Sequence, residues 1–153
     1  SNLARLEARA GRHDQAHELF DEALEVFARI GSAHFELETT VRRGECFVFE
    51  GRHADALALL SDRLDDEQAV GPVRIVLERT IGYALQQARR PDEARPHLES
   101  SLELARKVAS EYEEGLCLRA LADTRNTESD AGAQADAILE RLGVVSVPRI
   151  PLP

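Results

Sequence analysis

His13 and His17 stand four residues apart, a spacing that puts two imidazoles on one face of a helix and offers two nitrogen ligands to a transition metal. The intervening Asp14-Gln15-Ala16 lacks the glutamate of the H-E-x-x-H zinc-protease pattern, and no third ligand is evident in the sequence. Both are therefore expected to pack, His13 recurring as His53 just after a turn, where an amphipathic ring covers a helix junction. His34 and His97 stand alone, without a recognisable carboxylate or nucleophile partner. The clusters Asp65-Asp66-Glu67 and Glu111, Glu113, Glu114 depart from the D-x-[DN]-x-[DN]-G calcium loop and read as solvated helix edges. Ser61-Asp62 and Ser100-Ser101 lack the G-x-S-x-G turn of a nucleophilic serine. Cys46 and Cys117 have no C-x-x-C spacing and lie in apolar helical contexts, so buried, reduced thiols are expected. These patterns predict neither an enzyme nor a metal or cofactor site.

Composition bounds the partners. With 153 residues, 43% hydrophobic and 31% charged, the chain is long enough for one domain with a continuous core. Its 28 acidic and 19 basic residues give a formal charge of -9, which disfavours non-specific attraction to nucleic acid or anionic lipid. Every basic residue but Lys107 is an arginine, a bias of GC-rich coding that also suits a surface to carboxylates. No apolar run approaches the ~20 residues needed to span a bilayer, and the N-terminus carries no signal pattern. A cytoplasmic location is expected. The Ser1-Asn2 start and the absence of Met predict a piece excised from a longer protein.

The elements that must position these residues are helices. Leu19, Phe20, Ala23, Leu24, Phe27 and Ile30 follow the three-and-four spacing of one apolar stripe and predict a helix over residues 13–30. Gly31-Ser32 breaks it, Ser32 is placed to cap the next, and a second helix is expected over 33–50 up to Gly51. Further helices are expected over His53–Leu64, over 73–88 behind Pro72, from Pro91 to about Ser110, and over Glu111–Asp123. After a turn at Arg125–Ser129, Asp130 is placed to cap a last helix that Gly143 ends. Three prolines among alternating aliphatics predict an extended segment over 144–153, packed over the last helix as a cap or bound to another copy or domain.

Gly11-Arg12-His13 returns as Gly51-Arg52-His53, with Ala16 and Ala56 five places after each glycine, a period of forty residues. A weaker third copy runs Arg89-Arg90-Pro91-Asp92-Glu93-Ala94. Self-similarity at this period marks stacked helix pairs that cannot bury their apolar faces alone. Gly44 and Gly82 each lie seven residues before their unit's turn, inside helices where glycine costs ~1 kcal/mol relative to alanine. Close approach of a partner helix is the expected compensation. The pattern of Ala4…Gly11…Ala16…Phe20, Gly44…Gly51…Ala56…Leu60 and Gly82…Pro91…Ala94…Leu98 resembles the tetratricopeptide repeat across residues 1–142. The period is longer than the usual ~34 residues, as in the lengthened repeats of bacterial signalling ATPases, transcription activators and class III nucleotide cyclases.

The resemblance implies an all-α, right-handed superhelix of antiparallel helix pairs over residues 1–143, with about three and a half to four repeats and seven or eight helices. The third turn departs from the family with Arg89-Arg90-Pro91, and the fourth unit has only Ala131, Ala135, Ile138 and Leu139 as its ladder, which reads as a terminal cap. The family's concave groove is built from the first helix of each pair. Carried across, its positions select Asn2, Arg5 and Arg9; Arg42, Glu45 and Phe49; Arg79, Thr80, Tyr83, Gln86 and Gln87; and Glu113 and Cys117. The implied function is a non-catalytic protein- or peptide-binding module of a larger bacterial protein. Its partner is an acidic or carboxylate-bearing peptide held by arginine forks, with Phe49 and Tyr83 as anchors. Arginines that are simply solvated or paired with neighbouring glutamates are the competing reading. So are a ligand-sensing domain that controls an attached output domain and a homodimerisation unit built on the last helix or tail.

Overall fold

The computed structural model describes residues 2–125 and 130–153. Its helices are α1 (Asn2–Arg9), α2 (His13–Ile30), α3 (Ala33–Phe49), α4 (His53–Leu60), α5 (Gly71–Gln87), α6 (Pro91–Lys107), α7 (Glu111–Arg125) and α8 (Asp130–Arg141). The fourth ends earlier than its pattern predicts and tightens into a 3-10 turn over Ser61–Asp65. Pro72 sits in the first turn of α5, where a missing N–H costs nothing. Ser32 occupies the N-cap position of α3 but makes no side-chain capping bond. Asp130, expected as a cap, lies within the first turn of α8 and accepts from Gln134 Nε2 at 2.6 Å. The expected turn at Arg125–Ser129 begins with the last residue of α7 and otherwise lies outside the described residues.

Each helix packs on the next in the chain, which builds the pairs α1/α2, α3/α4, α5/α6 and α7/α8. The first helices α1, α3, α5 and α7 also touch one another in succession, whereas among the described residues the second helices make no comparable contact. The first helices therefore form the inner, more tightly curved side of the array. The central α5 is enclosed by both neighbouring pairs, and from Ile75 to Gln87 every residue is buried. That explains why its sequence carries no clean polar face.

The glycines predicted to admit a neighbour do so. A Cβ at Gly44 would stand 2.8 Å from Leu60 Cγ, and one at Gly82 would stand 2.6 Å from Leu98 Cγ. Gly115 of α7 repeats the arrangement against Leu139 Cγ of α8 at 3.1 Å, an interlock that the degenerate fourth unit conceals in sequence. In the first pair Ala4 and Phe20 share one buried cluster in the corresponding places.

The turns between paired helices share one closure. Arg12 N–H donates to Glu7 O at 3.0 Å and Arg52 N–H to Phe47 O at 2.8 Å, with Gly11 and Gly51 at φ 77° and 75° between them. The third turn keeps the geometry without the glycine: Arg90 N–H reaches Leu85 O at 2.9 Å while Arg89 takes φ 59°. Two outcomes follow for thermal unfolding followed by circular dichroism. Gly82→Leu overpacks the α5/α6 seam and lowers Tm by about 5 °C or more. Arg89→Gly relieves the left-handed backbone and stabilises by about 1 kcal/mol.

Candidate functional site

Two polar clusters occupy helix faces that the array would otherwise fill with apolar side chains. The first runs along the inner wall. Arg42 Nη1 donates to Glu45 Oε2 at 3.2 Å, Arg79 Nη2 lies 3.5 Å from Glu45 Oε1, and Arg79 Nη1 pairs closely with Glu113. Arg79 Nη1 also points at Cys117 Sγ, 3.9 Å away. The Arg79 side chain is only 5% exposed, so these partners and not solvent satisfy its charge. Burial alone would lower its pKa; Glu113, Cys117 and Glu45 outweigh that and raise it. Burial likewise pushes Glu45 up, and Arg42, Arg79, Arg9 and Arg5 together bring it below the ordinary carboxylate range.

The groove residues named from sequence thus come together, but in two different states. Arg42 and Arg79 are spoken for by Glu45 and Glu113, the pairing that the sequence left open. Arg5 and Arg9 on α1 have no carboxylate at ion-pairing distance among the described residues. Arg9 Nη2 donates to Tyr112 OH at 3.2 Å, and the buried Arg5 Nε has no partner.

Beyond the arginines, the wall becomes apolar and amide-bearing. Phe49, Val48, Thr80, Tyr83 and Leu116 line a cavity of about 470 Å³, together with Arg9, Arg119 and Asp123. Tyr83 OH donates to Asp123 Oδ2 at 3.3 Å; burial, then the Asp123 charge, pushes its phenol up. Gln86 Nε2 bonds Thr124 Oγ1 at 2.5 Å. Gln87 Nε2 donates to Val48 O at 2.8 Å and to Pro151 O at 3.0 Å. That last bond shows where the segment after α8 goes. Its first residues share a pocket with Asp136, Leu139 and Glu140 of α8, and its later residues cross the inner face, a course that the sequence did not indicate. Val147, Pro148, Arg149, Ile150 and Leu152 close one side of the cavity. Ile150 and Leu152 pack into the cluster of Val48, Tyr83, Ala84 and Leu121, and Pro151 touches the turn at Gly51. Nothing local in residues 144–153 names Gln87, sixty-four positions away, as their partner.

The second cluster corrects the reading of the histidines as packing residues without further ligands nearby. His13 and His17 face Cys46 of α3 and Glu50, the residue that caps α3, across the α2/α3 junction. Burial, then the Glu50 charge, pushes the Cys46 thiol up to about 12. Nor is His97 isolated: its Nδ1 lies 2.6 Å from Glu78 Oε2, and Arg74 Nη2 lies 2.7 Å from Glu78 Oε1. Burial raises the Glu78 pKa, and His97 and Arg74 overcome that and hold it low. Ser101 Oγ donates to Ile75 O at 2.8 Å, which absorbs it as a structural hydroxyl.

Two sequence profiles described as Tetratricopeptide repeat match the chain, one over residues 1–65 and the other over residues 79–111. No curated protein and no solved structure matches it.

Because the buried Arg79 neutralises two partly buried carboxylates, Arg79→Met should destabilise the chain by about 3 kcal/mol, measured by denaturant unfolding. Reversal to Glu at this position likewise tests the integrity of the array before it tests a partner. Glu45 and Glu78, held low in the folded state, contribute stability that is whole at neutral pH. It should be lost as pH falls below about 4, through their folded values, with a shallower loss in Glu45→Gln.

Proposed function

The chain belongs to the tetratricopeptide repeat family, and from that premise we propose that it is a non-catalytic peptide-binding module of a larger bacterial cytoplasmic protein, with the inner face as its site. Repeats of this family generally mediate protein–protein interaction and are typically scaffolds. No described helix is long and apolar enough to cross a membrane, in keeping with that setting. The observation that carries the reading is the segment 147–152, an extended, proline-spaced peptide lying on the inner face with a backbone carbonyl held by Gln87. It illustrates the ligand the wall suits: an extended backbone for the Gln87 amide and aliphatic side chains for Val48 and Tyr83. Arg5 and Arg9 extend the same wall toward α1 and supply a place for an acidic residue of the ligand. Arg42, Glu45, Arg79 and Gln86 hold the wall in shape through contacts among themselves and with α7.

The same observation favours a regulatory version of this function. An incoming peptide must displace the internal segment, which competes from a tethered position at an effective concentration on the order of millimolar. Displacement would then be a signal to whatever is attached.

A labelled peptide of residues 145–153 tests both features by fluorescence anisotropy. Ile150→Asp/Leu152→Asp in the full chain should unseat the internal copy and let the free peptide bind about ten-fold or more tighter than to the unaltered chain. Adding Phe49→Ala should reverse much of that gain. Equal, weak binding to all three proteins, with unchanged circular dichroism, would reject the inner face as a peptide site.

A further inference from the structure

We propose that His13, His17, Cys46 and Glu50 form a zinc site that fastens the first repeat to the second. His13 and His17 project from one face of α2, and Cys46 of α3 and Glu50, its C-cap residue with helical φ and ψ, again four residues apart, project toward them. His13, Cys46 and Glu50 form one tight group, and His17 joins it through Cys46 and Glu50. Cys46 Sγ lies 3.7 Å from His13 Nδ1, 3.8 Å from His17 Nε2 and 3.6 Å from Glu50 Oε1. The ligand atoms of His13, Cys46 and Glu50 are all within 4.8 Å of one another. A tetrahedral zinc with Zn–S of about 2.3 Å and Zn–N or Zn–O of about 2.0 Å has S···N and S···O edges of about 3.5 Å. The cluster already has those edges. His17 Nε2 and Glu50 Oε1, at 2.6 Å, share a proton and must part by roughly 0.7 Å to reach the corresponding edge.

The donor set of two imidazoles, a thiolate and a carboxylate suits zinc, and four protein ligands make a closed, structural site with no open position for substrate. Charge balances as well. One proton leaves the Cys46 thiol, His17 moves its proton from Nε2 to Nδ1, and the thiolate and Glu50 carboxylate together neutralise the dication. Around the ligands, Arg52 Nη1 approaches the second Glu50 oxygen at 3.4 Å, and the Phe47 ring lies 4.6 Å from the His17 ring and beneath the Arg52 guanidinium, while the buried His17 Nδ1 has no protein partner.

The repeat itself supplies the control. At the next junction, α4 against α5, the corresponding positions hold His53, Leu57, Ala84 and Ala88, of which Leu57 and Ala84 pack in one apolar cluster. Joining two repeats of this array therefore needs no polar quartet, and the ligand set at the first junction is additional to the fold.

Cobalt(II) titration of the chelator-treated full chain, followed by zinc competition and metal analysis, tests the site. One equivalent should give the visible bands of tetrahedral cobalt with thiolate-to-cobalt charge transfer, and zinc should abolish both and raise Tm. Cys46→Ser should remove the charge transfer, and His13→Gln/His17→Gln should weaken binding by more than about 100-fold. Cys117→Ser should change neither, and circular dichroism confirms that each variant is folded. No stoichiometric binding, an octahedral spectrum without thiolate bands, or undiminished binding by the folded histidine variant would overturn the proposal and leave a hydrogen-bonded cluster only.

Discussion

The insertion of a leucine from the second helix of each of the last three pairs into the place where the first helix has no side chain is the contact on which the array depends. Leu60 enters at Gly44, Leu98 at Gly82 and Leu139 at Gly115. Each glycine costs about 1 kcal/mol of helix propensity, and each returns a leucine buried against backbone. Two of those leucines, Leu60 and Leu98, are completely inaccessible to solvent. Helices seated this closely leave the opposite face of each first helix free to meet the first helices of neighbouring pairs. The curvature of the array, and with it the existence of an inner wall, follows from that spacing.

An inner wall built from closely set helices has little solvent in it, and this changes what arginine does there. On a loosely packed surface, Arg79 would be a hydrated fork ready for a partner. At 4% exposure for the whole residue it is instead the shared counter-ion of Glu45 and Glu113, joining α3, α5 and α7. In the proposed function, recognition therefore falls to the two ends of that network. Arg5 and Arg9 lie on one side, on α1, and the Phe49, Tyr83 and Gln87 surface lies on the other.

Legibility followed the range of the contact. Turns and helix ends are written within a few residues, so Gly31, Gly51 and Gly143 were readable as stops and each takes a positive φ. The glycine seams were readable because the same spacing recurs, whereas Gly115 and Leu139, separated by a longer stretch than the other pairs, broke the pattern and hid their contact. The groove positions were readable only through the resemblance, which says where a side chain sits and not whether a neighbour has claimed it. The His13/His17 pair failed for a related reason. A two-ligand pattern on one helix gains its meaning from Cys46 and Glu50 on the next, and in each partner helix those residues read as an ordinary thiol and an ordinary surface acid.

The occupant of the inner face obeys a metric constraint of the same origin. Packed helices lie about 8–10 Å apart, and an extended or polyproline-like chain advances about 3.1–3.4 Å per residue. Such a chain therefore meets a new helix about every three residues. Val147 borders Arg119 of α7, and Pro151 reaches Gln87 of α5 and the turn that follows α3. Pro148 and Pro151 are spaced by that same three-residue step. Proline here limits the unbound states of the segment, which lowers the entropy lost on seating it. A helical ligand, advancing only 1.5 Å per residue, would place successive side chains against one helix before reaching the next. The spacing of the helices thus supports the proposed extended ligand, beside the chemistry of Gln87, Tyr83 and Phe49.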